Sequence, residues 1–224
     1  MTTVLDGLTG AALADRVEER LRSLEGWQPT RIPEDEIPDT FRRASVLMPL
    51  WRDGDQIRVL FTLRTRQLSS HKGQIAFPGG RRDPEDASLV ATALRETHEE
   101  VGISPDAVRV AGRLDDAWSI QSYHVVPWVG WLDAPPSLTI EPAEIERVIV
   151  SDLETLLTPG VWRRSRLRRG DGTFDVHYYD LDGDVVWGLT GGIVFRFLAW
   201  LRGEPVPEAT QPRVTLQRFL GASE

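Results

Sequence analysis

The chain has 224 residues, a formal net charge of −8, 41% hydrophobic and 27% charged residues, and no cysteine. That length suits one large domain with its own core, and the composition argues against disorder. The missing cysteines exclude disulfides, thiol nucleophiles and thiolate zinc sites, and the acidic balance argues against a nonspecific nucleic-acid binder.

Met1 to Leu13 shows no basic start followed by a long apolar run, so no signal peptide is expected. Thr9 to Leu24 predicts an amphipathic helix, with Leu13, Val17, Leu21 and Leu24 at three- to four-residue spacing. Gly26 to Pro38 reads as a polar, proline-containing link. Ala44–Trp51 and Ile57–Leu63 are apolar runs separated by Asp53, Gly54 and Asp55, a strand-pair signal. Ser69 to Asp86 is a long glycine- and proline-rich loop of the kind that carries function in compact domains. Ala87–Val101 predicts a second helix, stopped by Gly102.

Beyond it, Val108–Leu114, His124–Leu132 and Ile145–Val150 read as strands, followed by a helical turn near Asp152–Leu157. Arg163–Gly172 reads as a basic loop, Phe174–Tyr179 as a strand and Leu189–Leu201 as a final helix. The longest apolar stretch, Gly191–Leu201, is broken by Arg196 and falls far below the roughly 20 residues of a membrane span. A cytoplasmic protein with no membrane or nucleic-acid partner is therefore expected. The final helix is apolar on most sides, so it belongs in the core or against a second subunit, and a homodimer is the expectation in the latter case. Strands and helices alternate without a strict βαβ rhythm, which predicts an α+β arrangement with a mixed sheet covered by helices.

The second helix breaks the rules of helix stability. Val90, Ala93, Leu94, Thr97 and Val101 share the face expected to be buried, while Glu96, Glu99 and Glu100 fall together on the other. Like charges three and four residues apart repel, by about 0.2–0.5 kcal/mol per pair. They also sit in the last turn, where the helix dipole favours cations by about 0.3–1 kcal/mol each. A hard divalent ion would account for such a cluster, since Mg²⁺ and Mn²⁺ favour carboxylate oxygens. The plain alternative is a solvated glutamate face balanced by Arg95. No histidine pair has metal-ligand spacing: His98-Glu99-Glu100 lacks the second histidine of a zinc protease.

Gly80, Asp86 and the run Arg95-Glu96-Thr97-His98-Glu99-Glu100-Val101-Gly102-Ile103 resemble the Nudix box. Two positions and one spacing depart from it. Thr97 replaces a larger aliphatic residue, and Asp86 stands where glutamate is usual. Eight residues rather than seven separate Asp86 from Arg95, which leaves Glu85 as a competing acid. The preceding stretch, Leu60-Phe61-Thr62-Leu63-Arg64-Thr65 through Gly73-Gln74-Ile75-Ala76-Phe77-Pro78-Gly79-Gly80, is similar to the coenzyme A pyrophosphatase signature, with Ser69 where that signature has arginine. Weaker likeness extends to Arg43–Leu47, Tyr123–Pro127 and Val186–Thr190.

The resemblance implies the Nudix fold, a mixed sheet sandwiched between helices, over 39–204, with the helix and link of 1–38 packed on it and 205–224 as a tail. It implies Glu96, Glu99 and Glu100 as ligands of Mg²⁺ or Mn²⁺, Glu96 serving either as ligand or as base, and Gly79 or Gly80 adding a carbonyl. Arg95 would orient a box glutamate or pair with Glu99 at the surface. Glu144 is the candidate general base outside the box, with Glu146 behind it. Arg64, His71, Lys72, Gly73, Gln74, Gly79 and Gly80 are the expected substrate contacts. The basic run Arg163, Arg164, Arg166, Arg168 and Arg169 either receives a further phosphate or is a solvated loop. The expected reaction is cleavage of the pyrophosphate bond of coenzyme A or a derivative, giving adenosine 3′,5′-bisphosphate and 4′-phosphopantetheine. ADP-ribose or a dinucleotide as substrate, a non-catalytic nucleotide sensor and a structural Ca²⁺ site are the alternatives.

Overall fold

The computed structural model describes residues 5, 7–22, 24, 27–65, 73–119, 121–169 and 172–204. In chain order these form α1 (Gly10–Leu21), β1 (Arg42–Asp53), β2 (Gln56–Arg64), β3 (Ile75–Ala76), β4 (Gly79–Arg81), α2 (Leu89–Val101), β5 (Arg109–Arg113), β6 (Ala117–Ser119), β7 (Tyr123–Leu132), β8 (Ile145–Asp152), α3 (Leu153–Leu157), β9 (Trp162–Arg169), β10 (Gly172–Leu181), β11 (Asp184–Trp187) and α4 (Gly188–Leu201).

An eight-stranded mixed sheet runs β3–β2–β1–β7–β5, with β4 on β1, β6 on β7 and β8 on the far side of β2. β1 and β7 are parallel from Arg42↔Tyr123 to Trp51↔Leu132; the other pairs are antiparallel. This central pair is buried along most of its length, because both faces of the sheet are covered. The period-2 pleat then sends neighbouring residues of β2 to opposite cores. Val59 and Phe61 join the main core with Leu13, Val17 and Leu21 of α1, Leu153 and Leu156 of α3, and residues of α4. Leu60 joins Trp51, Leu132, Val101 and Ile103 on the α2 side. The layers are therefore helices, sheet, helix, with the β9–β10–β11 antiparallel sheet on the α4 side contributing Tyr179, Leu181 and Val186 to the main core. Among the described residues no helix is long and apolar enough to cross a membrane.

Two expectations change here. The stretch read as a basic loop from Arg163 is strand β9, paired with β10 from Trp162↔Tyr179 to Arg169↔Gly172. Its arginines mask the apolar alternation, and charged side chains suit an edge strand, where they discourage pairing with another chain. The apolar final helix is accounted for within one chain, since Ile193, Val194, Phe197, Leu198, Trp200 and Leu201 all lie in the main core. Its composition therefore no longer argues for a second subunit.

Candidate active site

Helix α2 begins where Ser88 Oγ accepts a hydrogen bond from the Ala91 N–H at 3.2 Å, and it ends at Gly102 in the left-handed conformation. Its last carbonyls, orphaned within the helix, find partners in the loop before β8. The Thr139 N–H donates to Val101 O and the Glu141 N–H to Glu100 O, each at 3.0 Å. This ties the loop carrying Glu144 to the acidic end of the helix.

The three box glutamates do not form one exposed set. Glu99 is exposed and Glu96 partly buried, but Glu100 is 2% exposed. Glu100 sits at the edge of the buried stripe, one turn from Thr97 and next to Val101, and it faces the end of β2. There its Oε1 accepts from Arg64 Nη1 at 2.8 Å and its Oε2 from the Gly79 N–H at 3.0 Å. Burial pushes the Glu100 carboxyl up to about 7, with the nearby charges of Glu96 and Glu144 adding to the rise and Arg64 opposing it. Arg64 also donates from Nη2 to Glu144 Oε2 at 3.3 Å, and the Thr65 N–H donates to Glu144 O at 2.9 Å. Glu144, distant in sequence, thus shares an arginine with Glu100. Glu146 is exposed, and its charge acts on Arg147 instead.

Arg95 organises the other half. Its Nε and Nη2 donate to the two oxygens of Asp86 at 2.9 and 3.0 Å, Nη2 also reaches Glu96 Oε1 at 3.0 Å and Arg81 O at 3.2 Å, and Nη1 donates to Glu99 Oε2 at 2.7 Å. Arg95 thus bonds Glu96 and Glu99 at once while resting on Asp86. Asp86 is buried and further accepts from Thr92 Oγ1 and the Asp83 N–H, each at 2.9 Å. The Arg95 guanidinium holds its carboxyl well below the usual carboxylate range. Glu85 is exposed, so of the two acids Asp86 is the one that meets Arg95 from within the fold. For Glu96 burial raises the carboxyl above its ordinary value, with Arg95 opposing and Glu99 and Glu144 adding to the rise.

Gly79 and Gly80 are required by space. A Cβ on Gly80 would lie 2.4 Å from Glu96 Oε2, and one on Gly79, at φ +146°, would lie 2.3 Å from Ser45 O. The ends of the segment between β2 and β3 meet: the Arg64 N–H donates to Gln74 O and the Gly73 N–H to Arg64 O, each at 3.1 Å. Ser69, His71 and Lys72 lie outside the described residues. The basic strand splits by face, Arg164 and Arg166 lying 3.3 and 3.6 Å from Asp175.

Among the described residues no three acids or histidines already converge as a ready metal cage. Arg64 bridges Glu100 and Glu144, and Arg95 bridges Asp86, Glu96 and Glu99. The donor set still fits a hard divalent ion by its chemistry. It offers carboxylate oxygens only, two of them raised above their ordinary pKa by burial and mutual repulsion, which a cation would relieve. Asp86 and Thr92 as anchors of Arg95 went unrecognised in the sequence; the only signal was an acid of the wrong type at the wrong spacing.

A model of the NUDIX domain matches residues 41–169. The uncharacterized Nudix hydrolase NudL of Photorhabdus laumondii is 37% identical over 164 residues, covering 73% of this chain and 87% of that protein. The mitochondrial Nudix hydrolase 15 of Arabidopsis thaliana is 36% identical over 182 residues, covering 76% of this chain and 63% of that protein. Among solved structures, the NUDIX domain of Shewanella oneidensis NrtR complexed with ADP ribose is 18% identical with a TM-score of 0.44, covering 62% of this chain and 85% of that one.

Proposed function

The chain belongs to the Nudix hydrolases, which split the pyrophosphate bond of nucleoside diphosphate derivatives, and we propose that its substrate is coenzyme A or a close derivative, cleaved to adenosine 3′,5′-bisphosphate and 4′-phosphopantetheine. The observation that carries the reading is the pairing of Glu100 and Glu144 through Arg64 at the base of the loop that resembles the coenzyme A signature.

Glu96, Glu99 and Glu100 would hold Mg²⁺ or Mn²⁺, which supplies charge neutralisation at the diphosphate and acidity for the attacking water. The remaining work belongs to the chain's own groups. Arg95, fixed by Asp86, holds Glu96 and Glu99 in place. Arg64 presents a planar fork suited to phosphate oxygens, and it exchanges a carboxylate for a phosphate when substrate enters. Glu144 is half-exposed beside the cluster and accepts a proton from water. Phosphoryl transfer needs chiefly positioning and charge stabilisation, so the absence of cysteine imposes no limit.

Incubation with coenzyme A and Mg²⁺ or Mn²⁺, followed by chromatography of the products, tests the assignment. Release of 4′-phosphopantetheine is the expected result. Ser69, in place of the signature arginine, favours a second reading with a different diphosphate. Turnover of ADP-ribose or a dinucleotide without turnover of coenzyme A or acyl-coenzyme A would establish it.

A further inference from the structure

The three-stranded sheet carries a feature that hydrolysis of a diphosphate does not use. Cross-strand register sets Arg163, Tyr178 and Trp187 side by side, one from each strand, on the same face. The Tyr178 and Trp187 rings are parallel within 7° with centroids 6.1 Å apart, and the Arg163 guanidinium lies 4.7 Å from the centre of the Tyr178 ring. Ser165 Oγ lies 3.2 Å from the Tyr178 hydroxyl, which fixes that ring's plane. Trp187 nevertheless remains 48% exposed, far more than an indole whose function is core packing. The contrast is Trp162, also exposed, which faces the other side and stacks on His177 and Phe195 of α4.

Position gives the row its meaning. Strand β11 begins at Asp184, which pairs with Arg147 of β8, three residues after Glu144. It also packs beside β3, and β3 ends three residues before Gly79, about 10 Å of extended chain. Strand β3, beside β11, thus runs toward Gly79 and Gly80, and the Arg147 that meets Asp184 lies just beyond Glu144. Of the arginines on the basic strand, alternation places Arg163 on the aromatic face and Arg164 and Arg166 on the face of Asp175.

We propose that the Arg163–Tyr178–Trp187 row is the subsite for the purine nucleoside half of the substrate, with Trp187 as the stacking surface and Arg163 as the positive charge that suits an anionic nucleotide. This rests on the diphosphate reading above, and it assigns the base end of that substrate. Stacking needs only a ring face and tolerates exposure, which explains an indole left in solvent next to a site built for phosphates.

Calorimetric titration of the full-length protein with adenosine 5′-monophosphate tests this without requiring turnover or metal. The wild type is expected to bind. Trp187→Ala is expected to weaken binding about 5- to 150-fold, the range found when a stacking ring is removed. Trp187→Phe, which keeps a ring, is expected to recover most of the affinity, and both variants should melt within a few degrees of wild type because the residue is exposed. Unchanged affinity in Trp187→Ala, or no binding of the mononucleotide to wild type at millimolar concentration, overturns the proposal. So does a Trp187→Ala protein that shifts from dimer to monomer with its nucleotide affinity intact, since the row would then be a subunit contact. Coenzyme A hydrolysis by wild type, measured in parallel, separates the two readings. Hydrolysis with a silent Trp187→Ala titration sinks only the subsite, whereas no hydrolysis of any diphosphate with a weakened Trp187→Ala sinks only the pyrophosphatase.

Discussion

Glu100→Gln separates what the acidic cluster costs from what it does. In the folded chain the Glu100 carboxyl is pushed up to about 7, against an ordinary 4.5, so the group favours its protonated form. A raised folded value means that its stabilising contribution is complete below pH 4.5 and is lost as pH rises to 7. Over that window the loss amounts to roughly 3 kcal/mol, at 1.36 kcal/mol for each unit. Glutamine keeps the shape and an oxygen for the Gly79 N–H, but it turns an amide N–H toward Arg64, which costs about 1–2 kcal/mol as a lost charge-assisted bond. In metal-free buffer at pH 8 the variant should therefore exceed wild type by about 1–2 kcal/mol, a rise in melting temperature of roughly 2–8 °C. At pH 5 the order should reverse. Only the difference between the two proteins is read, so titration of other groups cancels. Added Mg²⁺ should raise the midpoint of wild type more than that of the variant, and turnover of the variant should be nearly abolished. A variant-minus-wild-type difference that stays flat from pH 5 to 8 would refute the electrostatic account. Full activity in Glu100→Gln would refute the metal role.

Asp86→Asn should destabilise by about 2–3 kcal/mol in urea denaturation, because it strips the buried partner from a partly exposed Arg95. Since the Asp86 carboxyl is held far below its ordinary value, that difference should be full at neutral pH and fade as pH falls below about 4. The same variant should lower kcat, as Arg95 loses the anchor by which it fixes Glu96 and Glu99. Gly80→Ala places a methyl 2.4 Å from Glu96 Oε2, so steady-state assays should show at least about a tenfold loss while the melting temperature moves little, the carboxylate being the end of a flexible side chain. Arg64→Ala leaves Glu100 buried with one hydrogen bond and no counter-charge, and chemical denaturation at pH 8 should register a loss of about 3 kcal/mol that shrinks at pH 5.

The box drew notice because its glutamates violate local rules, repulsion and dipole both opposing them, and the likeness of the surrounding run to the Nudix box gave that cluster its reading over a solvated face. The same rules could not separate Glu100 from Glu99. Adjacent on the helix, the two differ because one turns toward Arg64 and the Gly79 N–H, and that distinction depends on strands 21 and 36 residues earlier in the chain. Glu144 was legible only through likeness. Its placement comes from backbone bonds between the loop before β8 and the open end of α2, which no side-chain pattern encodes. Strand β9 was misread because arginine at most positions hides alternation, although the residues that alternate, Arg163, Ser165 and Leu167, were in plain view. Strands β3 and β4, two and three residues long, are too short for any period to register.

The charge balance of the site bears on the order of events. Asp86, Glu96, Glu99, Glu100 and Glu144 are gathered around two guanidiniums, Arg64 and Arg95, so full ionisation would leave three negative charges without a partner. The raised values of Glu96 and Glu100 show that the fold resists that state. A diphosphate adds further negative charge, and a site of this sign repels it unless positive charge arrives from outside. Arg64 can meet a phosphate only by releasing one of the two carboxylates between which its fork is divided, which frees a further negative charge. Affinity for a diphosphate at this corner therefore follows the concentration of divalent cation.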